Sequence, residues 1–417
     1  MGSVSDDVLV ARAFLNRVSE PDCVPVWIAV RQDGPVETVN AIRSGRARAD
    51  VLAATASRAR GADPQADLEA AHRRGVRLIV PESDEWPHFA MSALEAAGAR
   101  RAAQYENRRR AALKRGHDPA PERGELIPPL ALWARGPLDL APVGVRSVGI
   151  VGARAATAYG EEVAAELAYG LAERGFVVVS GGAYGIDASA HRAALAAQGE
   201  TVLVSAGGLD RAYPSGNAAL FERVAESGLL LSESPPGAAP QRRRFLTRNR
   251  LIAALSTGTV VVEAAARSGA ANTAWHCTEL GRPLMAVPGP VTSSMSVGCH
   301  RLLAADQNRA ELVTGVNDVL MVIGGASDLP GAGSPVRPRE PDLRDQLDEL
   351  DATARRVFDG FPARRAIAPE ELAATTSLSL FEVIRTLPVL ELSGLVEETT
   401  GGYRIRPRSR TTAQATG

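Results

Sequence analysis

Five arginines, Arg242, Arg243, Arg244, Arg248 and Arg250, crowd the first ten residues of "QRRRFLTRNRLIAALSTG", residues 241–258. An apolar, helix-like run follows at once. Guanidinium groups present a planar fork of donors that fits phosphate or carboxylate. A further arginine, Arg154, lies two residues past Gly152 in "GIVGARAATAYG", where a helical stretch begins. A guanidinium beside a helix N-terminus suits an anion. Asp187 and His191 are i,i+4 in "GIDASAH", with Ser180 close in sequence. That trio raises a hydrolase triad, but no G-x-S-x-G turn presents the serine, and the pair reads as a pin for its own loop. "His276-Cys277" and "Cys299-His300" raise a zinc site. Adjacent side chains diverge on a helix, and ligand spacings such as C-x-x-C are missing, so no metal and no cofactor is expected.

The elements that must position these residues are legible from Arg146 onward. Short apolar runs, "SVGIVG", "FVVVSGG", "TVLVSAGG", "GLLLSES", "GTVVVEA" and "RPLMAVPG", alternate with helix-like segments such as "EEVAAELAYGLAERG". Continuous rather than alternating apolar strands, joined by helices, mean a mostly parallel sheet covered on both faces. The expectation is an α/β, doubly wound, extended Rossmann-like fold. Every strand ends in small or polar residues: Gly152, Gly181-Gly182, Gly207-Gly208, Ser232-Glu233-Ser234, Glu263 with Ser268-Gly269 beyond it, and Pro288-Gly289. In open α/β sheets ligands bind at the carboxyl ends of the strands. Six such ends together favour a phosphate-bearing ligand. NAD is set aside, because the first turn lacks G-x-G-x-x-G and no carboxylate sits at the tip of the second strand.

Length and composition set the frame. The 417 residues suffice for several domains, and 45% hydrophobic residues suffice for a core. Net charge is −1, so a basic site must be local. Lys114 is the sole lysine, which reads as genome composition. Three cysteines, Cys23, Cys277 and Cys299, without a spacing pattern fit a reducing compartment. The N-terminus does not read as a signal peptide, and no apolar stretch reaches the ~20 residues of a membrane span. The expected location is cytoplasmic, with no membrane contact.

Residues 1–75, rich in Ala, Arg and Leu, read as a small helical (SAM-like) domain, and 76–323 as the Rossmann-like domain. Within the latter, the charged stretch 98–125 reads as a solvated helix or surface insertion. A Gly/Pro-rich linker, 324–341, leads to a compact unit, 342–406, read as helices 343–358, 369–374 and 377–393 followed by two strands around Gly401-Gly402. Three helices and a hairpin make a winged helix. Residues 407–417 read as a disordered tail.

Taken in order, "PESDEWP", "LWARGPLDL", "VGIVGARAATAYG", "VVVSGGAYGIDASAHRAAL", "GGLDRAYPSGNAAL", "SESPPG", "RNRLIAALSTGTVVVEAAARSGAANTA" and "GRPLMAVPGPVTSSMSVGCHRLL" resemble the DNA processing protein A (DprA/Smf) family over more than 200 residues. The resemblance implies a non-enzymatic protein that binds single-stranded DNA, forms a homodimer and helps load the RecA recombinase, as in natural transformation. It carries the DNA-binding role onto Gly152, Ala153 and Arg154; onto Ser180, Gly181, Gly182, Tyr184, Gly185 and Asp187; and onto Tyr213, Arg248, Asn249, Arg250, Ser268 and Gly269. Arg248 and Arg250, read as lying just before a helix "LIAALST", would then line the crevice and hold phosphates. The chain departs from the family pattern at Leu246 and Thr247, where proline and a basic residue are usual, and at His276 and Cys277, where small residues are usual.

Two rival readings stay open. "STGTVVVE", 256–263, faintly resembles the phosphate-binding stretch of nucleoside-monophosphate phosphoribohydrolases, with only Gly258, Thr259 and Glu263 in place. The other rival is a non-catalytic nucleotide sensor.

Overall fold

The computed structural model describes residues 4–115, 122–266, 268–307, 309–325, 328, 350–362, 365–399 and 401–406. The chain divides into two compact units, Met1–Ala332 and Gly333–Gly417. Most of the 324–341 linker, the start of the helix expected at 343 and the 407–417 tail lie outside the described residues.

The first unit opens with five helices: α1 (Asp6–Val18), α2 (Val24–Asp33), α3 (Pro35–Arg43), α4 (Ala49–Ala59) and α5 (Pro64–His72). Strand β1 (Val76–Ile79), the 26-residue helix α6 (His88–Leu113) and β2 (Leu132–Arg135) follow. Then come β3 (Ser147–Val151), α7 (Ala158–Ala172), β4 (Val177–Gly181), α8 (Ile186–Ala196), β5 (Thr201–Ser205), α9 (Ala218–Ser227) and β6 (Leu229–Ser232). The second half adds α10 (Arg242–Ala254), β7 (Gly258–Val261), α11 (Gly269–Glu279), β8 (Leu284–Ala286), α12 (Val297–Leu303), β9 (Glu311–Leu312) and α13 (Val316–Ile323).

The strands form one nine-stranded sheet in the order β1-β2-β6-β5-β4-β3-β7-β8-β9. The run from β6 to β9 is parallel, and β1 and β2 are antiparallel additions at one edge. The six strands expected from the sequence are all present, and the fold is the expected α/β sheet. Successive strand residues feed opposite faces: Val177 and Val179 join the cluster under α6, α10 and α11, while Val178 joins the one under α7 and α8. Both faces being buried explains the continuous apolar strands. The order reverses at β3, with β4 on one side and β7 on the other, so a crevice opens at the strand tips there.

Helices α1 to α4 share a buried cluster with Tyr105 of α6 and with Ile127 and Leu130. Asn16 of α1 accepts from the Trp133 indole (2.8 Å) and donates to the Glu233 carbonyl (2.8 Å), which fixes the leading helices to the sheet edge.

The second unit contains α14 (Ala352–Asp359), α15 (Pro369–Thr376), α16 (Leu380–Leu392) and the antiparallel pair β10 (Val396–Thr399) and β11 (Gly402–Ile405). Pro388 lies inside α16 without ending it. A capping box between Ser379 and Glu382 starts this helix. Val357, Leu372, Val383 and Leu390 form its core.

Candidate nucleic-acid interface

Helix α10 explains where most of the clustered arginines go. It begins at Arg242, eight residues before Arg250, so Arg248 and Arg250 are interior helix residues and not the approach to a helix. Positive side chains in a first turn oppose the helix dipole. Acids from the loop between α1 and α2 offset them: Arg243 pairs with Asp22 (2.7 Å) and Arg244 with Glu20 (3.2 Å). Arg242 is exposed.

Arg250 requires a correction. The sequence reading places it on a DNA phosphate, but its side chain is fully buried. Its guanidinium makes a two-pronged pair with Glu233 (2.7 and 2.8 Å) and donates to the carbonyls of Ile127 (2.7 Å) and Thr247 (2.9 Å). All the donor capacity of the fork goes to the interior. Asn249 is also buried and donates to Asn272 Oδ1 (3.1 Å) on α11. Ser180 is buried too; its hydroxyl donates to the Ile150 carbonyl (2.6 Å) and ties β4 to β3.

Arg248 has an intermediate place. It is 8% exposed, donates to the Val204 carbonyl and faces Asp187. Burial pulls its guanidinium down to about 10, with Asp187 opposing that shift, so it stays charged at neutral pH. Burial pushes the Asp187 carboxyl up, and Arg248 draws it back. A methyl group on Gly181 would lie 2.3 Å from Arg248 Nη1 and 2.5 Å from Asp187 Oδ2, so only glycine admits the pair. His191 turns away from Asp187. Its ring bonds the Gly181 carbonyl (2.8 Å) and the Thr201 hydroxyl (2.7 Å). The carbonyl can only accept, so Nε2 carries the proton. Burial lowers this histidine to about 4, which keeps it neutral. The loop-pinning reading of His191 therefore fits the geometry, and the Ser180, Asp187 and His191 side chains do not form a relay.

The other predicted residues gather around two adjoining recesses. The larger, about 260 Å³, lies at the β3/β7 switch and is lined by Gly152, Ala153, Arg154, Asn249, Ser268 and Gly269, among others. The smaller, about 110 Å³, is lined by Gly182, Tyr184, Tyr213 and Phe245. Arg154, Ala183, Phe245 and Arg248 belong to both. Arg154 is exposed, with its guanidinium 5.1 Å above the Phe245 ring. Tyr184 and Tyr213 are each about half exposed, and Tyr213 lies 5.5 Å from Phe245. Gly185, at φ 71°, starts α8 where a side chain would strike the Ala153 carbonyl at 2.4 Å. Phe245 and Thr273 are site residues that the sequence reading missed. The available signal for Phe245 was its place three residues before Arg248, on the same helical face, in a chain with only 4% aromatic residues.

Glu263 does not reach the recesses as a free group. Its carboxylate accepts from the Thr157 amide (2.9 Å) and hydroxyl (2.7 Å), capping α7. His276 is fully buried, and burial lowers it to about 4. Burial raises the Cys277 and Cys299 thiols to about 11. No group of three His, Cys, Asp or Glu side chains converges among the described residues. Among those residues, no helix is long and apolar enough to cross a membrane.

An open, mostly parallel α/β sheet whose strand order reverses at β3, with a recess at the strand tips there, defines the extended Rossmann-like class. Residues 122–324 match the family described as DNA recombination-mediator protein A. A DprA-named DNA processing protein of Mycobacterium tuberculosis is 46% identical over 403 residues, 96% of this chain and 95% of its own length. The X-ray structure of DNA processing protein A from Streptococcus pneumoniae aligns with a TM-score of 0.57 at 27% identity, covering 77% of this chain and 99% of that one. A Helicobacter pylori DprA structure, described for its single-stranded DNA binding mode, aligns at TM-score 0.43 and 32% identity over 46% of this chain and 86% of that one. The chain belongs to the DprA/Smf family of DNA-processing recombination mediators.

Proposed function

We propose that this chain binds single-stranded DNA along the strand tips, shields it and assists its transfer to RecA as a cytoplasmic homodimer. The observation that carries the DNA reading is Arg154, an exposed guanidinium held over Phe245 between two recesses at the switch point. In this reading Arg154 meets a backbone phosphate, and Tyr184, Tyr213 or Phe245 stacks a base. Gly152, Ala153, Gly182, Gly185, Ser268 and Gly269 give the strand close access to backbone amides. Gly181 and Asp187 hold Arg248 beneath the floor, where its charge contributes without direct contact. Ser180, Asn249 and Arg250 serve as supports. The division at residues 75, 324, 342 and 407 belongs to the same proposal, with 342–406 as a winged helix.

We assign no catalytic activity and no cofactor. In the phosphoribohydrolase reading Glu263 would face a sugar, whereas here it caps α7. Release of free adenine from AMP, lost in Glu263→Gln, would reverse that assignment.

The deciding experiment measures oligonucleotide affinity against salt. For single strands, log affinity falls with log salt at about −0.7 per phosphate neutralised. Arg154→Ala should flatten the slope by about 0.7 per engaged protomer and weaken all sequences alike. A folded Arg154→Ala protein with an unchanged slope would sink the assignment.

A further inference from the structure

Two carboxylates of the first unit each hold two arginines that stay open to solvent. Glu122 accepts from Arg101 and Arg108, both at 2.7 Å. Asp22 accepts from Arg243 (2.7 Å) and faces Arg123 (3.9 Å). These four arginine side chains are 39–54% exposed. Glu20 holds Arg58 and Arg244, and Asp50 holds Arg48 and Arg109, but those arginines are turned further inward, 34% exposed or less. The two open clamps adjoin, because Cys23 and Arg123 form an antiparallel bridge. On either side of it the Val24 amide donates to the Glu122 carbonyl (3.1 Å) and the Gly124 amide to the Asp22 carbonyl (2.8 Å).

One carboxylate between two guanidiniums leaves a surplus positive charge. Exposed ion pairs add little to stability, so folding does not account for the second arginine of each clamp. The carboxylate holds both guanidiniums in place while most of their donors stay free. Helix α6 extends the charge: residues 100–115 hold seven cationic side chains and one acid, in a chain of net charge −1. Arg101 and Arg108 are seven residues apart and so share one line along α6, ~10 Å long. Lys114 and Arg115 are exposed at its end.

We propose that the Asp22 and Glu122 clamps form a second phosphate track, which takes the stretch of single-stranded DNA that leaves the crevice. The proposal rests on the DNA reading above and adds a site to it. Contacts lead from one to the other. Asn249, in the wall of the larger recess, donates to Asn272, whose amide reaches Glu125 (3.5 Å), two residues past Arg123. Arg243 precedes Asn249 by six residues on α10, ~9 Å along the axis. A strand leaving the crevice on this side meets the clamps within a few nucleotides. An acidic polypeptide would satisfy the same charges, but continuity with the crevice selects the strand. Guanidiniums already held by a carboxylate lose little further freedom on meeting a phosphate. The track contacts backbone alone, so it is indifferent to sequence.

The test compares the salt dependence of full-length protein on an oligonucleotide of about six nucleotides, which fills the crevice alone, with one of about 25. With one phosphate neutralised per clamp, the long strand should show a slope steeper by about 1.4 per engaged protomer. Arg108→Gln with Arg243→Gln removes the surplus charge of both clamps and leaves each carboxylate an amide donor. This variant should lose that increment and bind the long strand several-fold more weakly at low salt. Its affinity for the short strand and its unfolding midpoint should match the parent. A folded double variant with an unchanged long-strand slope overturns the proposal and leaves the clamps to an acidic polypeptide. If the double variant unfolds early, Arg108→Gln alone carries the test: about half the loss is expected, and no loss overturns the proposal. Arg154→Ala separates the two readings, because it should flatten the slope for both lengths. If it does so while the clamp variant flattens neither, only the track fails. If neither strand binds the parent protein, the DNA reading fails with it.

Discussion

Arg250 is buried and Arg154 exposed, and the difference predicts opposite mutant behaviour. Arg250→Ala strands Glu233 as an unpaired buried charge, a change that costs about 3–5 kcal/mol. Denaturant unfolding should show that loss, while Arg250→Met with Glu233→Leu should recover much of it, since apolar replacement of a buried pair is often neutral. Arg154→Ala should leave the unfolding midpoint nearly unmoved and act only on DNA. If Arg250→Ala keeps full stability and loses only DNA affinity, the buried-pair account is wrong. The two neutral histidines give a pH prediction. His191 and His276 are lowered by burial to about 4 from 6.5. Below pH 6.5 the unfolded chain takes up protons that the folded chain refuses. The stability tied to these histidines is therefore complete above pH 6.5 and drains as pH falls toward 4, by up to ~1.4 kcal/mol per unit for each. Unfolding free energies at pH 7, 6 and 5 should show that His276→Ala loses less stability on acidification than the parent chain. A His276→Ala protein whose slope between pH 7 and 5 equals that of the parent would mean that this ring accepts its proton in the folded protein.

At the scale of elements, the sequence exposes what packs and hides what pairs. The six parallel strands were legible because an apolar run bounded by glycine and helix has few other uses. The two antiparallel edge strands were not: "VRLI" and "LWAR" are four residues each, lie 53 residues apart and carry no turn signal between them. The start of α10 was obscured because three arginines in succession carry no apolar periodicity. Their helix is secured by Glu20 and Asp22, more than 200 residues upstream, and no local pattern reveals such pairs. The same limit applied to the site. The glycine-bearing strand tips do line a recess, while the fate of Arg250 depended on Glu233, in the loop after β6. Glu263 gives the prediction at this scale. Its carboxylate secures the first turn of α7 through Thr157, so Glu263→Gln keeps one acceptor and Glu263→Ala keeps none. Loss of such a cap costs about 0.5–2 kcal/mol, and the alanine variant should lie at the upper end or beyond it because a buried space is also left. If instead Glu263→Gln retains full stability and alters turnover of a nucleotide, the residue belongs to a catalytic site.

For the whole molecule the question is which unit holds DNA. Both recesses, and every residue carried over for DNA binding, lie in the first unit. Residues 343–406 hold 11 acidic and 8 basic side chains, a local charge of −3. Part of that basic complement is neutralised within the unit: Arg404 pairs with Glu397 (2.6 Å) and Arg365 with Glu371 (2.6 Å). Helix α16 offers apolar side chains where a major-groove reader offers arginine or lysine. Removing everything after Gly324 should therefore keep single-strand affinity within a few-fold of the full chain. The salt slope should also be unchanged, because no phosphate contact is lost. A tenfold loss of affinity, about 1.4 kcal/mol, together with a shallower slope would place phosphate contacts in the second unit. A tenfold loss with an unchanged slope would have a different meaning. The direct contacts would remain in the first unit, and the second would strengthen binding by holding two copies on one strand, as linked sites do.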